Sequence, residues 1–186
     1  MSAYFYSWIF DNFKFDNFTL DIDSSVMTRY GEQEGAKKGY NPAKRGRCSH
    51  HPLIVFIDDV KLVANMWLRS GDTSSANNFL SFLEDTLSKL KNKTVSLIRL
   101  DSGFFQSNIL DYLEQKATSY IIAAKFTYPI QRVIKEITSW IVLDTGIEIC
   151  EQVYQSDSWQ VPRRLVIVRQ KLNHYGLQVH RFLKAD

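Results

Sequence analysis

Residues 94–100 read TVSLIRL, a run so nearly continuous in apolar and β-branched side chains that it suits a strand covered on both faces. It leads straight into Asp101-Ser102-Gly103. Residues 106–116 follow with Ile109, Leu110 and Leu113 at helical spacing, and residues 120–126 form a second apolar run. Strand, helix and strand at this spacing predict a right-handed βαβ unit, which demands parallel neighbours in one sheet with a helix against it. The expected fold class is therefore α/β.

Upstream, residues 18–27 (FTLDIDSSVM) alternate with period two, Leu20 and Ile22 to one side and Asp21, Asp23 and Ser25 to the other. Carboxylates are poor strand formers, so two of them inside an otherwise apolar strand need a reason. Residues 29–47 lose all periodicity and gather Gly31, Gly35, Gly39, Pro42 and Gly46 among charges, which predicts a long loop or open hairpin. Residues 52–68 read as two apolar strands bent around Asp58 and Asp59. Gly71-Asp72-Thr73-Ser74 is a helix start signal, followed by Phe79, Leu80, Leu83, Leu87 and Leu90 at three-to-four spacing. After Pro129 short strands are expected at residues 140–143, 147–154 and 164–168. Residues 170–186 mix charges without a clear period, so weak order is expected there.

A chain of 186 residues is long enough for one domain, or one domain with an appendage, around a real core. With 45% apolar and 23% charged residues it has the balance of a soluble globular protein, which excludes long disorder, collagen and coiled coil. No run approaches the roughly 18 uninterrupted apolar residues that would span a bilayer. The start, MSAYFYSWIFDNF, lacks a basic flank and meets Asp11 before any small-residue cleavage site, so it reads as mature chain. Cys48 and Cys150, far apart and without a CxxC, read as two reduced thiols of a cytoplasmic protein. The net charge of +3 neither demands nor excludes a polyanionic partner, and only a local cluster can decide.

Asp101, at the carboxyl end of its strand, stands where α/β sheets leave room for a ligand. Adjacent strands lie about 4.8 Å apart, so Asp23 and Asp101 on neighbours can reach one cation. Paired carboxylates suit hard Mg²⁺, which keeps several waters and is held by one or two carboxylates plus substrate phosphate. The structural alternative makes Asp23 an exposed strand residue and Asp101 a helix N-cap. Asp21 shares a face with Asp23 and competes for the metal role. Six basic residues, Arg29, Lys37, Lys38, Lys44, Arg45 and Arg47, stand against Glu32 and Glu34 in a glycine-rich segment that carries Tyr30 and Tyr40. Such a loop suits a nucleic-acid backbone, with stacking on unpaired bases, or is simply solvated. Cys48, His50 and His51 lack the second ligand pair of a structural zinc site. Neither GxxxxGK[ST] nor GxSxG occurs, and Ser102 has no assignable His partner.

In order along the chain, TLDIDSSVMTRYGEQEGAKKGYNP, GRCSHHP, WLRSGDTSSANN and IRLDSGFF resemble successive blocks of bacterial insertion-sequence transposases of the DDE type. The resemblance covers about residues 17–170. It implies a ribonuclease H-like mixed sheet flanked by helices and followed by a β-rich insertion. The implied segments are an N-terminal remnant (1–16), a partial core (17–128), the insertion (129–170) and a weakly ordered tail (171–186), a chain truncated at both ends. The resemblance further implies Asp23 and Asp101 as catalytic ligands of Mg²⁺ or Mn²⁺, double-stranded DNA of element ends and target as partner, a homodimer, and a cytoplasmic, nucleoid-associated protein that cuts and joins DNA. The family's third acid is a Glu in a block of Tyr, two residues, Arg, three residues, Glu. Three positions beyond Tyr112, Tyr120, Tyr128, Tyr154 and Tyr175 stand Gln115, Ala123, Gln131, Asp157 and Gln178, none of them Arg, and Glu148 and Glu151 fall in expected strands. The expectation is a core inactive alone, with a non-catalytic DNA-binding remnant as the alternative.

Overall fold

The computed structural model describes residues 3–12, 14–172 and 176–185, with side chains for residues 8–12 and 14–170. The chain forms two compact units, Met1–Phe104 and Phe105–Asp186.

In the first unit, helix α1 (Ala3–Asn12) precedes strand β1 (Phe18–Ser24). The period-two pattern decides how β1 lies: Phe18, Leu20 and Ile22 are buried, whereas Asp23 is exposed. The two-residue strands β2 (Met27–Thr28) and β3 (Lys37–Lys38) flank β4 (Cys48–His50) in a small sheet of order β2-β4-β3. The segment expected as an open hairpin thus has a third strand between its arms. Strands β5 (Leu53–Ile57) and β6 (Leu62–Trp67) form the expected hairpin around Asp58 and Asp59, where Asp59 Oδ2 accepts a hydrogen bond from the Thr19 amide at 2.9 Å. Helix α2 (Phe79–Leu90) and strand β7 (Val95–Leu100) follow. The main sheet of this unit runs β6-β5-β1-β7, with β1 antiparallel to β5 and parallel to β7.

Helix α2 buries Phe79, Phe82, Leu83, Thr86 and Leu90 and packs against β5 and β6. Each large apolar side chain so buried contributes about 1.5–3 kcal/mol. The helix begins at Phe79, after an Asn78 held at φ 57°, and so later than the Gly71-Asp72-Thr73-Ser74 signal predicts. The reason is chemical. The Ser75 and Asn77 carbonyls accept hydrogen bonds from the buried Arg69 guanidinium where a helical turn would have served them, and the Ser74 carbonyl accepts one from it beside that of the Asn77 amide at 3.2 Å. The other face of the sheet carries Asp21, Asp23, Ile54, Phe56, Met66 and Arg99, with Phe56 and Met66 39% and 48% exposed.

The second unit contains α3 (Ser107–Gln115), β8 (Tyr120–Ala123), α4 (Tyr128–Glu136), β9 (Ile141–Asp144), β10 (Ile147–Tyr154), β11 (Arg163–Leu172) and β12 (Gly176–Ala185). Its antiparallel ladder runs β8-β12-β11-β10-β9. Ile109, Leu110 and Leu113 are the buried residues of α3, as their spacing predicts. Two elements depart from expectation. Pro129 opens α4 from its first turn, where the missing amide proton is no loss, and Gly176–Ala185 is a strand paired with both β11 and β8. The expected class holds: a mixed α/β sheet flanked by helices, with further β structure after it. No helix among the described residues is long and apolar enough to cross a membrane.

Candidate functional site

The parallel pairing of β1 with β7 sets Ile22 opposite Leu100. One residue further on each strand comes an aspartate, Asp23 and Asp101. Ile22 and Leu100 are buried, the pleat of β1 turns Asp23 to the opposite side, and Asp101, just past the end of β7, is exposed like Asp23. Each carboxylate is oriented by a backbone amide: Ser24 N donates to Asp23 Oδ1 at 2.7 Å, and Gly103 N donates to Asp101 Oδ1 at 2.8 Å. The second bond caps the 3₁₀ turn Ser102–Phe104, which the Phe104 amide closes on the Asp101 carbonyl at 3.2 Å, so Asp101 also performs the capping role of the structural alternative. Gly103 has no room for a side chain. A Cβ there would lie 2.9 Å from Asp101 Oδ1 and 2.8 Å from Ser75 Oγ.

Asp21, the competitor for the metal role, lies opposite Arg99 on β7 and is held by its guanidinium. Asp58 joins the same cation at 2.9 Å. The hydrogen bonds to Asp21 push the pKa of Arg99 further up despite the desolvation that opposes it. Asp21 is thus committed to an ion pair. The acids of β10 are similarly engaged: Glu148 pairs with Arg169, and Glu151 pairs with Arg164 at 2.6 Å. Among the described residues no group of three or more His, Cys, Asp or Glu side chains is placed to hold a metal ion.

Of the six basic residues between positions 29 and 47, four line one open cavity of about 460 Å³: Arg29, Lys38, Arg45 and Arg47, together with Tyr30 and Glu32. Lys37 pairs with Asp72 at 3.3 Å, and Lys44 lies over the Tyr30 ring, 5.1 Å from its centre. His50 is buried and structural. Its Nδ1 accepts from Arg29 Nε at 2.8 Å, which leaves Nε2 protonated to donate to the Glu34 carbonyl at 2.9 Å. His51 Nδ1 donates to the Thr73 carbonyl at 2.6 Å. The cavity segment is fixed from below by backbone: a Cβ on Gly39 would lie 1.8 Å from the Gly71 carbonyl oxygen, and one on Gly71 would lie 2.2 Å from that of Ser49.

One buried side chain near the aspartates has no place in the sequence reading. Arg69, 8% exposed, donates from Nε to the His51 carbonyl at 2.9 Å and from Nη2 to Ser24 Oγ at 2.8 Å, while Nη1 reaches the carbonyls of Ser74 and Ser75 at 3.0 and 3.3 Å. Burial lowers its pKa to about 10, which leaves it charged at neutral pH. The only signal for it in the sequence is its position in the WLRSGDTSSANN block, and nothing in the spacing singles it out.

A family model described as Transposase DDE domain group 1 matches residues 7–185. No curated protein matches the chain. Among solved structures it is similar to a piggyBac transposase, seen by cryo-EM in a synaptic complex with hairpin DNA, with a TM-score of 0.55 and 16% identity. The match covers 91% of this chain and 33% of that one, and at such identity it shows the fold.

Proposed function

The chain belongs to the transposase DDE domain group 1 family, and from that premise we propose that it is a transposase catalytic core segment whose Asp23 and Asp101 hold a divalent cation for phosphoryl transfer at DNA ends. The observation that carries the reading is that the two acids each directly follow the last paired residues, Ile22 and Leu100, of parallel neighbours. Their donor chemistry fits the ion. Two exposed carboxylates, each with a backbone amide fixing one oxygen, offer hard oxygen ligands to Mg²⁺ or Mn²⁺ and leave water and substrate phosphate to complete the shell. A bound cation in such enzymes activates water or a 3′ hydroxyl and stabilises the leaving oxygen. The chain's own part is to orient the two acids and, through Arg29, Lys38, Arg45 and Arg47, to neutralise DNA phosphates. With two anionic ligands instead of three the affinity for the cation is low, and cut-and-join activity of this chain alone is little or none. Duplex DNA of element ends and target is the partner proposed, acted on by a homodimer in a bacterial cytoplasm.

The test is Mn²⁺ binding, followed by the electron paramagnetic resonance of the free ion, alongside nicking of end-bearing DNA. Asp23→Asn and Asp101→Ala are each expected to weaken Mn²⁺ binding by at least about 10-fold, since loss of a direct ligand does no less than loss of an outer-shell partner. Unchanged binding in both variants overturns the site, and robust nicking by the wild type overturns the inactivity.

The cavity ringed by four cations supports a second reading, a non-catalytic DNA-binding remnant. Neutralising Lys38, Arg45 and Arg47 together is then expected to weaken binding to any duplex sequence and to flatten the salt dependence by about one unit of slope per lost phosphate contact. A fluorescence-anisotropy salt series measures this. Asp23→Asn leaves DNA binding unchanged on this reading.

A further inference from the structure

We propose that Arg69 is the positioning residue of the two-aspartate site, a single buried guanidinium that sets both carboxylates at once. The inference rests on the reading of Asp23 and Asp101 as cation ligands. Two short relays leave Arg69. In the first, Nη2 donates to Ser24 Oγ at 2.8 Å, and the amide of the same Ser24 donates to Asp23 Oδ1 at 2.7 Å. In the second, Nη1 donates to the Ser75 carbonyl at 3.3 Å; the Ser75 side chain lies against Gly103, whose amide donates to Asp101 Oδ1 at 2.8 Å. Ser75 and Asp101 together crowd Gly103 so closely that a methyl group there would displace one of them.

The chemistry of the arrangement argues for positioning over plain packing. A guanidinium taken out of water is costly unless its hydrogen bonds are met, and a Met or Leu of similar volume fills such a place at lower cost. Here the hydrogen bonds go to neutral oxygens, the His51, Ser74, Ser75 and Asn77 carbonyls and the Ser24 hydroxyl. Those acceptors come from the end of β1, the residue after β4 and the loop before α2. Only a planar fork with several donors at fixed angles can fasten three separate backbone segments together; of these the end of β1 holds Asp23 through the Ser24 amide, and the loop before α2 abuts Gly103, whose amide holds Asp101. The loop carbonyls gain in turn. Residues 74–77 stay outside the helix, and Arg69 supplies partners for the Ser75 and Asn77 carbonyls and a second one for that of Ser74.

Mn²⁺ titration of the full chain, well below its melting transition, tests this with Arg69→Gln, Arg69→Lys, Ser24→Ala, the Arg69→Gln/Ser24→Ala double variant and Asp23→Asn as reference. Loss of an outer-shell partner weakens metal binding by about 10–100-fold, so Arg69→Gln is expected to lie in that range and Ser24→Ala near its lower end. Arg69→Lys, which keeps the charge and loses the fork, recovers only part of the affinity. Ser24→Ala adds nothing in the Arg69→Gln background, because that relay is already cut. If Arg69→Gln does not fold, Ser24→Ala and Arg69→Lys still decide, since each removes a single part of the device. Wild-type affinity in both of these, with Asp23→Asn impaired, overturns the role of Arg69 and spares the metal site. Additive effects of Arg69→Gln and Ser24→Ala also overturn it. Wild-type affinity in Asp23→Asn overturns the metal site and the inference together.

Discussion

Replacing Glu114 with alanine is expected to destabilise the Phe105–Asp186 unit by about 3–5 kcal/mol, the range for removing one partner of a buried ion pair. The Arg163 side chain is only 3% exposed. Glu114 takes its Nε at 2.6 Å and its Nη2 at 2.9 Å, and the guanidinium also stacks over the Trp159 ring at 4.8 Å. Tyr120 donates its hydroxyl to the same Glu114 Oε1 at 2.6 Å. The alanine variant therefore strands a buried cation and a buried hydroxyl together. Asp111, which also bonds Arg163 Nη2, retains part of the compensation and places the effect toward the lower end. Among the described residues Arg163 Nη1 has no hydrogen-bond partner even in the wild type, so none of them offers a spare acceptor. Urea unfolding followed through Trp159 fluorescence measures the loss.

The same pair governs acid sensitivity. Burial works against the Glu114 carboxylate, but hydrogen bonds from Arg163 and Tyr120 outweigh it and hold its pKa below the ordinary value. A carboxylate depressed in the folded state adds stability above its unfolded pKa and loses it as pH falls through the folded one. Stability of the wild type is thus expected to fall as pH drops below the usual glutamate range, and Glu114→Ala flattens that limb.

The second large effect is Phe82→Ala, with an expected cost of about 3–5 kcal/mol. Phe82 is fully buried at the centre of the apolar face of α2, and its ring meets Trp67 edge-on at 5.4 Å and 69°. The cavity left behind is walled by sheet and helix and has little freedom to collapse. On the open face of the same sheet, Phe56→Ala removes a ring that is 39% exposed, and a change near 1 kcal/mol is expected. Equilibrium denaturation of the two variants, compared by midpoint at equal slope, separates the two faces.

What was legible in the sequence was whatever one face of one element decides. The alternation of Phe18, Leu20 and Ile22 against Asp21 and Asp23 fixes β1, and the apolar run ending at Asp101 fixes β7; with both strands placed, the two aspartates follow. Ile109, Leu110 and Leu113 gave α3 by the same logic. Contacts between distant segments were hidden. Nothing in the spacing tells Asp21 from Asp23 until Arg99 is seen to hold the former. Arg69 reads as one more cation until its carbonyl cage is assembled, and that cage also explains why α2 starts late. After Pro129 the sequence suggests short strands alone, yet Pro129 stands in the first turn of a helix. Gly176–Ala185 lacks a regular alternation in its sequence, and pairing with β8 and β11 makes it a strand. Of the six loop cations, sequence could count them but not divide the four around the cavity from Lys37 and Lys44.

The contact between Gly39 and Gly71 is main chain against main chain, and no other residue fits at Gly39 without moving the Gly71 carbonyl. The aim of the cationic arm is therefore written into the skeleton and not into its charges. Lys38, Arg45 and Arg47, all exposed, are free to be exchanged, multiplied or erased while the arm keeps its direction. Such a mount lets a lineage retune the charge of the arm residue by residue, without rebuilding what carries it.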